Sequence, residues 1–151
     1  VTSHVRYCRK VYSPIAKEGD VNVLVTFEKL ETLRYLNYLT KDGRVIINEE
    51  EIFPPSVNLG DAAYPLDAVD IVRRRFKDVL VVNAPALARK AGNSRAVSTV
   101  MLGALSRYLP EASLDDWKNV IGEEFSEKLV PANLKAFDHG REMASMTRKI
   151  R

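Results

Sequence analysis

The sequence predicts an α/β domain with a mainly parallel sheet, flanking helices and a helical C-terminal half. Three observations carry this: short β-branched runs that are continuously apolar, helical spacing of apolar residues between them, and helical patterning throughout the chain after Asn83. Strands covered on both faces lose the apolar/polar alternation, as in parallel sheets, and parallel strands need a crossover between them.

The elements follow in order. Val1 to Tyr7 reads as a first strand and Val21 to Phe27 as a second. Phe27, Leu30, Leu33 and Leu36 recur at near-helical spacing up to a turn at Lys41-Asp42-Gly43. Arg44 to Asn48 forms the next strand, followed by a loop, Glu49 to Ser56, in which Pro54-Pro55 holds the chain extended. After Pro65, a helix carries Leu66, Val69, Val72 and Phe76. Its basic end, Arg73, Arg74, Arg75 and Lys77, complements the helix dipole. Val79 to Asn83 is the last strand.

Pro85 and Gly92 bracket a short helix, since proline gives up an N–H that has no partner there and glycine accepts a left-handed cap. Ser94 is expected to cap the next helix, with a stripe of Val97, Val100, Met101, Ala104, Leu105 and Tyr108 before Pro110. Ser113 and Asp116 have the spacing of a capping box ahead of Leu114, Trp117, Ile121 and Phe125. Pro131 opens a final helix with Leu134, Phe137 and Ala144, ending in a basic, frayed Arg148 to Arg151. Without repeat, low-complexity tract or linker, residues 1–151 parse as a single domain.

Composition narrows the function. The chain has 151 residues, 46% hydrophobic and 28% charged, enough to bury about 68–70% of its surface without metal or disulfide staples. The longest near-apolar stretch, Ala96 to Leu105, contains Ser98 and Thr99, so a soluble chain with no membrane partner is expected. Cys8 is the only cysteine, which argues for an intracellular location and prevents this chain alone from ligating an iron–sulfur cluster. The net charge is +3, but acidic and basic residues alternate as on a solvated surface, so no nucleic-acid partner is expected. The chain opens at Val1 without a charged or apolar leader pattern, as a processed chain or a fragment would.

Chemical motifs are sparse. The seven glycines are too widely spaced for a dinucleotide phosphate cradle. His4, His139 and Cys8 make no metal set, and His139 with Glu142 at i, i+3 lacks the further ligands a di-metal bundle needs. No nucleophile elbow accompanies the serines. Gly60-Asp61 with Asn83 is half of a thiamine diphosphate motif. In parallel sheets, ligands gather beyond the carboxyl ends of strands. The candidate contact residues are therefore Glu28, Asn48, Asn93 and Arg95, at strand ends or helix starts, where capping is an equally good reason for their presence. Arg95→Ala is expected to impair assembly or turnover more than the fold. No catalytic residue and no metal ligand is assigned.

Several segments together resemble a known family. They are Ser3-His4-Val5-Arg6-Tyr7, Val11-Tyr12-Ser13-Pro14 with Gly19, and Phe27-Glu28-x-Leu30-Glu31-x-Leu33-Arg34-Tyr35. Ile52 with Pro54-Pro55, Tyr64-Pro65 and Gly92-Asn93-x-Arg95-Ala96 follow, then Met101 to Leu105 and Asn133 to Phe137 with Gly140. In order and spacing they resemble the gamma-type subunits of 2-oxoacid:ferredoxin oxidoreductases, nearest the indolepyruvate branch.

The resemblance implies a Rossmann-like fold and a non-cluster subunit, inactive alone. The holoenzyme it implies decarboxylates a 2-oxoacid, such as indolepyruvate or another aryl pyruvate. It does so in the cytoplasm with coenzyme A and oxidised ferredoxin, giving acyl-CoA, carbon dioxide and reduced ferredoxin. It implies no cofactor on this chain: thiamine diphosphate and iron–sulfur clusters belong to a large partner subunit, through which ferredoxin is met.

Family members open with a strand and a G-x-G-G-Q-G turn, and this chain starts after them, so the first βα unit is expected to be missing. That unit would supply the central strand. Its loss is expected to leave two unpaired inward edges, covered by self-association or by another chain. The alternative reading is a stand-alone nucleotide- or small-molecule-binding α/β module without catalysis.

Overall fold

A computed structural model of the chain describes residues 2–53, 55–59 and 64–149. Three parallel strands, β1 (Val21–Thr26), β2 (Leu39–Asn48) and β3 (Asp78–Val82), form one sheet in the order β1-β2-β3. The helices are α1 (Lys29–Tyr35), α2 (Pro55–Asn58), α3 (Ala68–Arg75), α4 (Ala84–Lys90), α5 (Val97–Ser106), α6 (Leu114–Glu124) and α7 (Val130–Lys149).

The continuous apolar runs divide their residues between two cores. Ile46, Leu80 and Val82 face Ala84, Ala88, Val100, Met101, Ala104 and Ala136 of the α4–α5–α7 layer, with Val23 and Val25 packed alongside. Their sequence neighbours Val45, Ile47 and Val79 face Leu36, Val72 and Phe76 on the α1–α3 side, joined by Leu24 and Val81. Alternation therefore exists in space although the sequence hides it, because both faces are apolar. Each such side chain stabilises the fold by about 1.5–3 kcal/mol.

The helical layer is held by an unusually close crossing. A methyl group at Gly103 would overlap the Phe137 carbonyl, and one at Gly140 would overlap the Val100 carbonyl, so α5 and α7 meet backbone to backbone. Gly92, at φ +92°, terminates α4: its N–H bonds the Arg89 carbonyl at 3.0 Å, and Asn93 N–H bonds that of Ala88 at 3.1 Å. The capping box at Ser113 and Asp116 forms as expected.

Several expectations are corrected. Residues 2–20 form no strand: their polar atoms bond side chains such as His4 Nδ1, and Val5 is 87% exposed, so no sheet covers them. The turn at Lys41-Asp42-Gly43 is absorbed into β2 as an irregularity, where the β1 register steps from Val21 opposite Leu39 to Val23 opposite Arg44. Ser94 does not cap α5, which starts behind Ala96 without a side-chain cap. Asn93 takes the Arg95 N–H with its side chain and the Ala96 N–H with its carbonyl, building a turn where the first helical residues were expected. The final helix continues through Lys149, while Ile150 and Arg151 lie outside the described residues. The three strands are contiguous, so among the described residues the expected pair of inward edges is absent, and the edges that remain are the outer sides of β1 and β3.

Candidate functional site

All three strands end on the same side, and their loops form a rim fastened by the buried side chains of Glu28 and Asn48. Glu28 caps α1. Its Oε2 accepts the Glu31 N–H at 2.9 Å, and its Oε1 accepts the Tyr64 hydroxyl and the Ile52 N–H. One carboxylate thus ties the start of α1 to the segment after β2 and to the approach to α3. Burial would push the Glu28 carboxyl up. The hydroxyl of Tyr64 and the N–H groups of Leu30, Glu31 and Ile52 outweigh that and hold it below the usual range. Burial, then the hydrogen bond and charge of Glu28, push the Tyr64 hydroxyl up, so it stays protonated.

Asn48, fully buried at the end of β2, makes the second fastening. Its Nδ2 donates to the Phe27 carbonyl at 3.1 Å and to Glu50 Oε2 at 2.9 Å, while its Oδ1 accepts the Ala84 N–H at 3.2 Å. It thereby joins all three strand ends and satisfies a donor at the start of α4, where Asn83 takes the Ala86 N–H at 3.0 Å. Beneath them, Thr26 and Thr32 share a buried hydrogen bond of 2.7 Å between β1 and α1.

Chemically, this rim positions loops. Both Glu28 oxygens are occupied by protein donors, so the carboxylate has no spare capacity as a base. Glu49, Glu50 and Glu51 add negative charge, with Lys29 pairing Glu51 at 2.8 Å. An anionic group would meet repulsion here. Among the described residues, no group of three or more His, Cys, Asp or Glu side chains is placed to hold a metal ion.

The four sequence candidates separate into two pairs. Glu28 and Asn48 come together in the rim, whereas Asn93 and Arg95 lie in the α4–α5 turn, Asn93 bonding within it and Arg95 exposed. The sequence reading missed Tyr64 as the partner of Glu28 and Glu50 as the partner of Asn48. The Tyr64-Pro65 dipeptide carries no periodic signal linking it to α1, so only the fold reveals that contact. Pro54 and Gly60-Asp61 lie outside the described residues.

A parallel sheet covered on both faces, with a rim of loops fastened at the strand ends, defines the class as a layered α/β domain of the open-sheet type. The family model for pyruvate ferredoxin/flavodoxin oxidoreductase matches residues 1–143. The chain belongs to that family.

Its relatives include "Indolepyruvate oxidoreductase subunit IorB" of Pyrococcus horikoshii, 39% identical over 93% of this chain and 71% of the relative. The protein of that name from Archaeoglobus fulgidus is 37% identical over 95% of this chain and 73% of the relative. Among solved structures, the keto/oxoacid ferredoxin oxidoreductase gamma subunit from Geobacter sulfurreducens aligns with a TM-score of 0.61 at 19% identity, over 83% of this chain. The chain spans 64% of that subunit's length. Pyruvate oxidoreductase subunit PORC from Thermotoga maritima aligns at 0.58 and 24% identity, over 84% of this chain and 65% of PORC. At such identities the structures speak for the fold.

Proposed function

We propose that this single, partial domain is the cluster-free subunit of a 2-oxoacid ferredoxin oxidoreductase acting on indolepyruvate or a similar aryl pyruvate. One observation carries the reading: relatives named as indolepyruvate oxidoreductase subunits match 93–95% of the chain at 37–39% identity. The complex would convert 2-oxoacid, coenzyme A and oxidised ferredoxin to acyl-CoA, carbon dioxide and reduced ferredoxin in the cytoplasm.

This chain's residues do not fit the redox groups. A cluster takes four thiolates, and Cys8 is the only cysteine. Asn48 and Glu28, the buried amide and carboxylate at the strand ends, are engaged within the protein, so among the described residues neither is free to ligate a metal-bound diphosphate. The reading therefore assigns thiamine diphosphate and the clusters to a larger partner subunit and gives this chain the task of completing the assembly. Glu28 and Asn48 set the shape of the rim, while Asn93 and Arg95, in a separate turn, are available for subunit contacts.

Co-expression with a large cluster-bearing thiamine subunit tests this. The two chains are expected to co-purify, and indolepyruvate- and coenzyme A-dependent reduction of ferredoxin should require both. A large subunit that is equally active alone, or that leaves this chain unbound, would overturn the reading.

A further inference from the structure

The helical layer carries a second polar site built on the glycine crossing. Arg107 follows the last residue of α5, and Arg141 follows Gly140 on α7. Arg141 Nη1 donates to Ser106 Oγ at 2.8 Å, and that hydroxyl donates to the Gly103 carbonyl at 2.7 Å. Both arginines are half-buried, and neither forms an ion pair among the described residues. Arg107 Nε is buried without a hydrogen-bond partner. Trp117 packs on Phe137, one helical turn before Arg141, at 6.2 Å between ring centres, and its indole N–H is likewise buried and unpartnered.

Burial, and then the charge of Arg107, push the Arg141 guanidinium below its ordinary value, with Asp138 offsetting only part of this. Asp138 is itself paired with Lys118 at 2.9 Å. A cation at a helix C-terminus explains the charge of Arg107, but neither its buried Nε nor the second arginine beside it. Two like charges held together partly out of water are costly until an anion joins them. Planar guanidinium forks match oxyanions, and a dianion cancels both charges where a monocarboxylate cancels one.

We propose that Arg107 and Arg141 form a binding site for a phosphoryl dianion, with the unpartnered Arg107 Nε as one donor. The acidic rim at the strand ends repels such a group, and the arginine pair offers it the opposite charge.

The probe is inorganic phosphate, titrated at constant ionic strength against acetate. Trp117, the only tryptophan, serves as the reporter, and thermal melting gives a second readout. Phosphate is expected to change the emission saturably and raise Tm, with acetate weaker. R107Q and R141Q should each weaken phosphate binding by about tenfold or more, the loss expected from one charge-assisted hydrogen bond. K128Q, which removes an exposed charge elsewhere, should leave binding unchanged. The Nε of Arg107 has no hydrogen bond to lose among the described residues, so R107Q is expected to disturb the fold less than R141Q, and with its melting temperature in phosphate-free buffer as the check on folding it decides should R141Q unfold. No saturable response, an equal response to acetate, or unchanged binding in R107Q overturns the proposal.

Discussion

The buried carboxylate of Glu28 makes the stability of this domain depend on acid in a predictable direction. Its folded-state pKa lies below its ordinary value, so the stability it contributes is present above that ordinary value and is lost as pH falls through the folded one. Melting the parent chain, E28Q and Y64F between about pH 3 and pH 7 should give the steepest acid decline in the parent. E28Q should flatten the curve, and Y64F should lie between, since it removes the strongest bond that favours the ionised form. At neutral pH, Y64F is expected to cost about 1–2 kcal/mol. Three parallel curves would contradict the assignment. Of these contacts only the end at Glu28 was legible in advance, because an acid at a helix start is a local pattern. Its hydroxyl partner lies 36 positions away, and no local periodicity records such a pairing.

Among the elements, the helix crossing makes the sharpest demand on sequence. Gly140→Ala and Gly103→Ala each drive a methyl into a backbone carbonyl, which cannot rotate away, and should destabilise by about 3 kcal/mol or more in denaturant titrations. Gly122→Ala is the contrast: the glycine sits in α6 with open space at its Cβ, and the change should stabilise by about 0.5–1 kcal/mol. Similar effects at all three positions would disprove the close approach. Most helices were readable from apolar spacing and caps, as at Gly92 and Ser113, but α2 (Pro55–Asn58) begins within the segment expected to be an extended loop, and α3 starts at Ala68 and leaves Leu66 outside it and exposed. The crossing was not readable, because a glycine needed for a neighbour's backbone looks, in sequence, like any weak helix residue. The start of α5 was misplaced for a related reason: Asn93 and Ser94 both offer capping oxygens, and local competition favoured Asn93.

For the molecule as a whole, the sequence conveyed the layered class and the positions of β1, β2 and β3, because runs such as Val45-Ile46-Ile47 can be buried only between two covers. It misled on the segment Thr2 to Tyr7, where β-branched composition occurs without a sheet edge to receive it, as the exposure of Val5 shows. Strand order also escaped it, since which neighbours pair is decided by the crossovers rather than by any one segment. The acidic rim and the arginine pair on the helical layer give the domain two electrostatically opposite regions.

The central place of β2 has a kinetic corollary. Its Arg44–Asn48 stretch is bonded to strands on both sides and flanked by both cores, so these amides can meet solvent only when the entire body opens. In deuterium-labelling time courses they should be the last to take up label, all at one shared rate, with the outward-pointing amides of β1 among the earliest in the sheet. Early labelling of Val45 to Ile47 would mean that the two layers can part without global unfolding.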